Sequence, residues 1–226
     1  ANLFTEYIPT PEHAEMMIYP RVLALAEVAW SAPSKKNYEN FHVRALKAVE
    51  ELKKSGYNPF ELKNEIGNRP GADKPVEHLA VGKKVTYGLD AAYYPGYAAG
   101  GDTALVDGVR GGWTYGDKRW QGFIDKKRMD ITIDLEKETE LHFIGADFMQ
   151  VCGPEVFMPT EVIISISDDG KDFTELKHIE HKVVKDDKVT FTNFGWEGNA
   201  KGRYVRYQAT SGEFGGFLFT DEVVIK

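Results

Sequence analysis

Aromatic side chains beside planar polar groups are the commonest chemistry written into this sequence. Tyr93, Tyr94 and Tyr97 crowd a Pro/Gly/Ala-rich stretch. Trp113 and Tyr115 lie close together further on, and Phe214 stands in Gly212-Glu213-Phe214-Gly215-Gly216. An aromatic face covers the apolar side of a pyranose ring, and planar groups of the kind carried by Arg110, Arg119, Gln121 and Asn193 suit its hydroxyls. The alternative for each aromatic is turn or core packing; Trp120, beside Gln121-Gly122-Phe123, is expected in the core. The sequence holds one adjacent Asp-Glu pair, Asp221-Glu222, a combination able to do acid–base work. It opens the run Asp-Glu-Val-Val-Ile-Lys, the start of a strand, so it is not expected to be catalytic. His142, His178 and His181 show no metal-ligand spacing, and Cys152, next to Gly153-Pro154, has no visible base partner.

The elements that must position these groups belong to a chain of ordinary globular composition. Its 226 residues are 42% hydrophobic and 28% charged, with 28 Lys+Arg against 35 Asp+Glu. A net charge of −7 argues against nucleic acid as a partner, because a phosphate backbone needs a clustered basic face. The single cysteine excludes an internal disulfide and a Cys-rich zinc site. No run approaches about 18 consecutive apolar residues, so no membrane span is expected. The chain opens Ala1-Asn2-Leu3, as an expressed fragment or a processed chain would.

Two regions differ in pattern. Residues 1–66 read as helical. Thr10-Pro11-Glu12 supplies a cap, a proline at the first helical position and an acidic first turn. From Ala14 to Trp30 the chain is apolar nearly all round, with Pro20 expected to break it in two. A second helix is expected from Tyr38 to Ser55, with Phe41, Ala45, Ala48, Val49 and Leu52 on one stripe and Gly56 to stop it. A helix apolar on most faces must be covered on most faces, which one amphipathic partner cannot do; these residues look like the edge of a larger core. Residues 67–75, rich in Pro, Gly and polar side chains, read as an exposed linker. Residues 76–226 read as antiparallel β, with strands expected at 129–135, 141–146, 161–167, 188–194, 203–209 and 217–225. Asp168-Asp169-Gly170-Lys171 is expected to be a hairpin turn. The pattern predicts a mainly β chain with a sandwich or barrel.

The first region resembles the end of the catalytic (β/α)8 barrel of family-twenty glycoside hydrolases, the β-N-acetylhexosaminidases and chitobiases. The resemblance rests on Ala1-Asn2-Leu3-Phe4-Thr5-Glu6-Tyr7-Ile8, Met17-Ile18-Tyr19-Pro20-Arg21 and Leu23-Ala24-Leu25-Ala26-Glu27-Val28-Ala29-Trp30-Ser31. In that family a last barrel strand ends in an aromatic residue, usually Trp where this chain has Phe4, followed one residue later by Glu. The resemblance implies that Glu6 accepts hydrogen bonds from hydroxyls of a terminal N-acetylhexosamine and that Phe4 lines the sugar. The alternative for Glu6 is a strand-end ion pair. The family's catalytic Asp-Glu pair lies on an earlier barrel strand. This chain alone is therefore expected to have no hexosaminidase activity, and its partners to be carbohydrate and the rest of the barrel. An extracellular or periplasmic setting is also implied.

The second region resembles the discoidin-type, galactose-binding-like β-sandwich, including carbohydrate-binding modules of family thirty-two. The phrases are Ala104-Leu105-Val106-Asp107-Gly108, Trp120-Gln121-Gly122-Phe123, Ile133-Asp134-Leu135, Ser165 through Phe173, Arg203-Tyr204-Val205-Arg206 and Asp221-Glu222-Val223. This sandwich hosts sugar binders, protein binders and spacers. The resemblance implies either carbohydrate binding or a structural module that packs on the barrel. It also implies a structural Ca²⁺ held by the carboxylates of Asp107 and Glu222 and by backbone oxygens around Ala104 and Gly112, with Asp102 as a spare. The alternative is that Asp107 caps a turn and Glu222 pairs with a lysine.

Overall fold

A computed structural model of the chain describes residues 3, 4, 8, 10–60, 62, 69, 72, 74–88, 93–124, 128–186 and 188–226. It divides into two compact units, Ala1–Glu65 and Ile66–Lys226.

Among its described residues the first unit contains three α-helices. The Thr10 hydroxyl accepts the His13 N–H and starts α1 (Pro11–Ile18), with Pro11 and Glu12 in its first turn. Tyr19-Pro20 separates α1 from α2 (Arg21–Trp30), as the proline predicts. Asn37 caps α3 (Tyr38–Lys54) by accepting the Asn40 N–H, and Gly56 follows at φ +85°, where a side chain would be strained. The stripe expected on α3 is buried at Ala45 and Val49. A bidentate pair from Arg44 to Glu27 joins α3 to α2. Neither α1 nor α2 buries a single residue, and Trp30 is 91% exposed. Most of the expected barrel strand, including Glu6, lies outside the described residues; Phe4 is exposed. Among the described residues no helix is long and apolar enough to cross a membrane.

The second unit is an antiparallel sandwich of seven strands: β1 (Lys84–Tyr87), β2 (Gln121–Ile124), β3 (Met129–Gln150), β4 (Glu161–Ser167), β5 (Thr174–Glu180), β6 (Thr190–Thr210) and β7 (Phe217–Ile225). The period-two pattern placed β4 and β7 correctly. Elsewhere two expected strands merge into one. Residues 129–135 and 141–146 both belong to β3, and 190–194 and 203–209 both belong to β6, so the strand expected from 188 starts two residues later. Between the two halves of β3 the pairing shifts register from Asp134 to Thr139, and Glu136 adopts φ +71°. Such a bulge bends a strand without ending it. The first half of β3 pairs with β1 and the last part of β6, which in turn pairs with β4. The second half pairs with β7 and the first part of β6. Both layers feed one core that includes Ile131, Ile133, Ile144, Phe148, Ile164, Val205, Tyr207 and Val223. Full burial of each such side chain contributes about 1.5–3 kcal/mol. The outer face of β3 and β7 carries a second, smaller core of Trp120, Met149, Val156 and Phe219.

The linker expected at 67–75 needs correction. Arg69 and Ala72 are buried, and Arg69 belongs to the second unit. Polar composition forecasts exposure only where the polar groups find no partners inside.

Candidate functional site

Strand β7 is covered on both faces, so the consecutive residues Thr220, Asp221 and Glu222 are all buried. An ionised carboxylate there must be paired or neutralised. Asp221 Oδ2 accepts the Gly111 N–H at 3.0 Å and a hydrogen bond from Arg69 Nη2. Its Oδ1 accepts the Glu222 N–H at 2.7 Å, and Arg110 Nη1 stands 3.5 Å away. Asp147, from β3, completes the cluster. Its Oδ2 lies 2.8 Å from Arg69 Nη1 and 2.7 Å from Arg110 Nη1, while its Oδ1 accepts from Asn193 Nδ2 at 2.8 Å. The Arg69 guanidinium sits 5.2 Å from the Trp120 ring and 4.9 Å from that of Phe191. Burial pushes the Asp221 carboxyl up to about 6 despite both arginines. Burial also raises Asp147, but Arg110, Asn193 and Arg69 outweigh it and hold that carboxyl below its ordinary range. Asp221 is thus sealed, with both of its oxygens engaged.

The aromatic candidates fall in four places. Trp113 stands 5.4 Å from Phe191, edge to face, and its buried indole N–H has no hydrogen-bond partner among the described residues. Tyr94, Tyr97 and Tyr115 converge with Phe217 and Phe219; Tyr97 lies 4.9 Å from Phe219 and Tyr115 4.7 Å from it. Tyr93 donates its hydroxyl to Asp102 at 2.8 Å, which ties up the spare carboxylate. Phe214 packs on Phe157 beneath the Lys185 ammonium, 5.3 Å from its ring. Among the polar candidates, Gln121 is buried between Gly101 and Tyr87, whereas Arg110 and Asn193 meet at Asp147. The structure therefore brings Arg110 and Asn193 together at Asp147, while Tyr97 and Tyr115 pack on the same small core as Phe191, the ring that Trp113 touches. Sequence reasoning missed Phe191, Asp147 and Arg69. Asp147 and Asp221, acidic residues within apolar strand runs, were the available signal.

Asp107 and Glu222 do meet. Glu222 Oε1 lies 2.7 Å from His78 Nε2 and accepts the Gly108 N–H at 3.0 Å. His78 Nδ1 faces the Ala80 and Ile225 N–H groups, so Nε2 carries the proton and donates. Glu222 Oε2 is buried with no partner among the described protein groups that completes its bonding. Burial raises the carboxyls of both Asp107 and Glu222, and Asp107 raises that of Glu222 further. Asp107 also accepts the Val109 N–H at 2.7 Å, the turn-capping role that was the alternative for it. Glu222 is not paired with a lysine as its alternative supposed. Its cationic-capable partner is His78, which the sequence did not flag. The Gly112 carbonyl accepts the Trp120 indole N–H, and its N–H binds Asp117. Ala104 starts the short turn leading to Asp107. Among the described residues no three His, Cys, Asp or Glu side chains are grouped to hold a metal. His142, His178 and His181 engage Asn199, Glu161 and the Phe194 ring, and Cys152 packs against the main core.

The family model described as F5/8 type C domain matches residues 90–223, more than half of the chain. The chain belongs to the F5/8 type C domain family. Ahead of this F5/8 type C domain, residues 1–33 match the Glycosyl hydrolase family 20 catalytic domain and form a remnant of it. A β-hexosaminidase of Porphyromonas gingivalis is 40% identical over 58 residues, which is 26% of this chain and only 8% of that relative. Solved structures similar to the chain include a Streptococcus pneumoniae fucose-binding module, with 18% identity and a TM-score of 0.46 over 67% of this chain and 98% of that one. A family thirty-two module from Clostridium perfringens, in complex with GalNAc-β-1,3-galactose, has 18% identity and a TM-score of 0.42 over 63% and 93%. A chitosan-binding module from a Paenibacillus chitosanase/glucanase has 14% identity and a TM-score of 0.44 over 66% and 98%.

Proposed function

We propose that this chain is an accessory region of a β-N-acetylhexosaminidase that releases terminal N-acetylhexosamine from glycans or chitin-type oligomers, and that its F5/8 type C domain binds carbohydrate. The observation that carries the reading is the joining, in one chain, of the family 20 catalytic remnant to the F5/8 type C domain. Glu6 and Phe4 would hold one corner of the substrate sugar, while protonation of the leaving oxygen falls to strands elsewhere in the barrel. The exposed apolar side chains of α2, Val22, Leu25, Val28 and Trp30, suit burial against the remainder of that barrel.

A calcium ion between Asp107 and Glu222 fits part of the geometry. The partnerless Glu222 Oε2 beside the Asp107 carboxylate offers two hard oxygen donors, and backbone oxygens near Ala104 would add to them. Gly112 suits the site less, because its carbonyl already serves Trp120. With one ligand on the loop and one on the last strand, the ion's role would be structural. Binding of the intact chain to an array of N-acetylhexosamine-containing glycans tests the carbohydrate reading. Retention of specific glycans is expected. A blank array would leave the alternative, a sandwich that serves only to pack on the barrel.

A further inference from the structure

We infer that the sandwich carries a pre-shaped guanidinium site, filled by Arg69 of its own chain, and that this one side chain pins the connection around Ala72 to the sandwich as a strap. The site stands whether or not the domain binds carbohydrate, and its ligand class follows from its walls. Arg69 Nε donates to the Gly111 carbonyl at 3.0 Å, Nη1 to Asp147 Oδ2 at 2.8 Å and Nη2 to Asp221 Oδ2. Two rings complete the socket, with the guanidinium 5.2 Å from that of Trp120 and 4.9 Å from that of Phe191. Three acceptors around one planar fork, against aromatic surface, match a guanidinium. An ammonium is a point charge whose donors do not lie in one plane.

Each wall of the socket is held by groups other than Arg69. Asp147 accepts from Asn193 Nδ2 at 2.8 Å and lies 2.7 Å from Arg110 Nη1. Asp221 accepts the N–H groups of Gly111 and Glu222. The Trp120 indole donates to the Gly112 carbonyl, and its ring stacks on Phe191 with centroids 5.6 Å apart. Gly111 owes its place to close approach, since a Cβ there would stand 2.2 Å from the Trp120 ring. The socket therefore keeps its shape when the Arg69 side chain is cut back, and it then lacks one positive charge, because two carboxylates face Arg110 alone. The occupant comes from a segment that reads as a linker. Besides the Arg69 side chain, that segment meets the sandwich through the buried Ala72 and through the Val76 N–H, which donates to the Gly108 carbonyl at 2.8 Å. The Ala72 N–H turns back to the Arg69 carbonyl at 2.9 Å, so the turn that buries Ala72 starts at the pinned residue.

The test is chemical rescue in the intact chain. Arg69→Ala should melt below the parent, and methylguanidinium should raise its melting temperature along a saturating curve that recovers at least half of the loss. Methylammonium at the same concentrations should recover none of it, and the parent, whose site is filled, should show no such rise with either cation. Arg69→Lys should also melt below the parent, because one ammonium cannot serve all three acceptors. Should Arg69→Ala be unfolded by itself, its β-sheet ellipticity should return with methylguanidinium and not with methylammonium. A variant that melts with the parent, or rescue that is equal for both cations or absent for both, overturns the guanidinium site. Hydrogen exchange read by mass spectrometry separates the strap from the site. In the rescued variant the guanidinium is no longer joined to the chain, so the Ala72 and Val76 amides should exchange at least tenfold faster than in the parent while β3 and β7 stay protected. Amides at Ala72 and Val76 that remain as slow as the parent's overturn the strap and leave the site standing.

Discussion

Replacing Arg69 by Met should destabilise the sandwich by about 3 kcal/mol at neutral pH, although the residue lies in what reads as a linker. Arg69 is 7% exposed and serves two carboxylates, of which Asp221 is fully buried. Removing one partner of a buried ion pair costs about 3–5 kcal/mol, because the other charge is left uncompensated. Two features hold this case at the lower end. Arg110 stays 2.7 Å from Asp147 and 3.5 Å from Asp221. Asp221 can also shed its charge: its carboxyl, already at about 6, rises further without Arg69, and protonating a group one unit below ambient pH costs about 1.4 kcal/mol. Met keeps some packing between Trp120 and Phe191 but loses the cation–π contacts. For a protein of this size, about 3 kcal/mol corresponds to a fall of roughly 6–12 °C in melting temperature. The pH dependence has a defined sign. The folded pKa of Asp221 is raised above its unfolded value, so its contribution is fully present below the unfolded value and is lost as pH rises through the folded one. In Arg69→Met that loss extends to higher pH, so the gap to the parent should be wider at pH 7.5 than at pH 5. Arg69→Met/Asp221→Asn should recover about 1–2 kcal/mol relative to Arg69→Met. Thermal and urea melts of the intact chain, followed by β-sheet ellipticity, provide the assay. A melting temperature within 2 °C of the parent, or a gap that is the same at both pH values, refutes the anchoring argument.

If calcium sits between Asp107 and Glu222, EDTA should lower the melting temperature and calcium restore it, with magnesium less effective; the gain is about 2.7 kcal/mol at a free concentration 100 times Kd. Asp107→Ala and Glu222→Gln should each abolish that response, and metal-free protein that melts identically with and without chelator removes the ion. The Asp169 carboxylate accepts N–H bonds from Lys171 and Asp172 in the β4–β5 turn and is held down to about 2. Its carboxyl carbon should titrate by NMR at about that value. A depressed pKa gives stability that is present above the unfolded value and lost as pH falls through the folded one, so the hairpin should loosen between about pH 4 and 2. A midpoint near 4 means that the turn does not form as described.

Much of this architecture was legible in the chain itself. Thr10-Pro11-Glu12, Pro20 and Gly56 mark helix boundaries through local backbone chemistry, and the β4–β5 turn and strands β4 and β7 follow from turn residues and alternation. Those signals act over a few residues, so they survive in one dimension. The six expected strands became two shared long ones and two intact ones because a bulge at Asp134–Thr139 looks, in sequence, like a turn. Strands β1 and β2 were missed at four residues each, too short for alternation to register, and β5 because its exposed edge buries no side chain.

What the sequence determined by itself was the helical and β division, the family resemblances and the residue types able to meet a sugar or a cation. Which of them meet was decided only by the tertiary structure. Asp147, Asp221 and Arg69 are far apart in the chain, and nothing in their spacing announces a cluster. They converge because β3 and β7 pair on either side of a register shift at Asp147 and because buried carboxylates demand a cation. That demand draws Arg69 out of a polar connection and into the sandwich. It also leaves Arg110 and Asn193 beside one another at Asp147. His78 reaches Glu222 by the same logic, since a carboxylate buried in the last strand must find a donor wherever the fold supplies one.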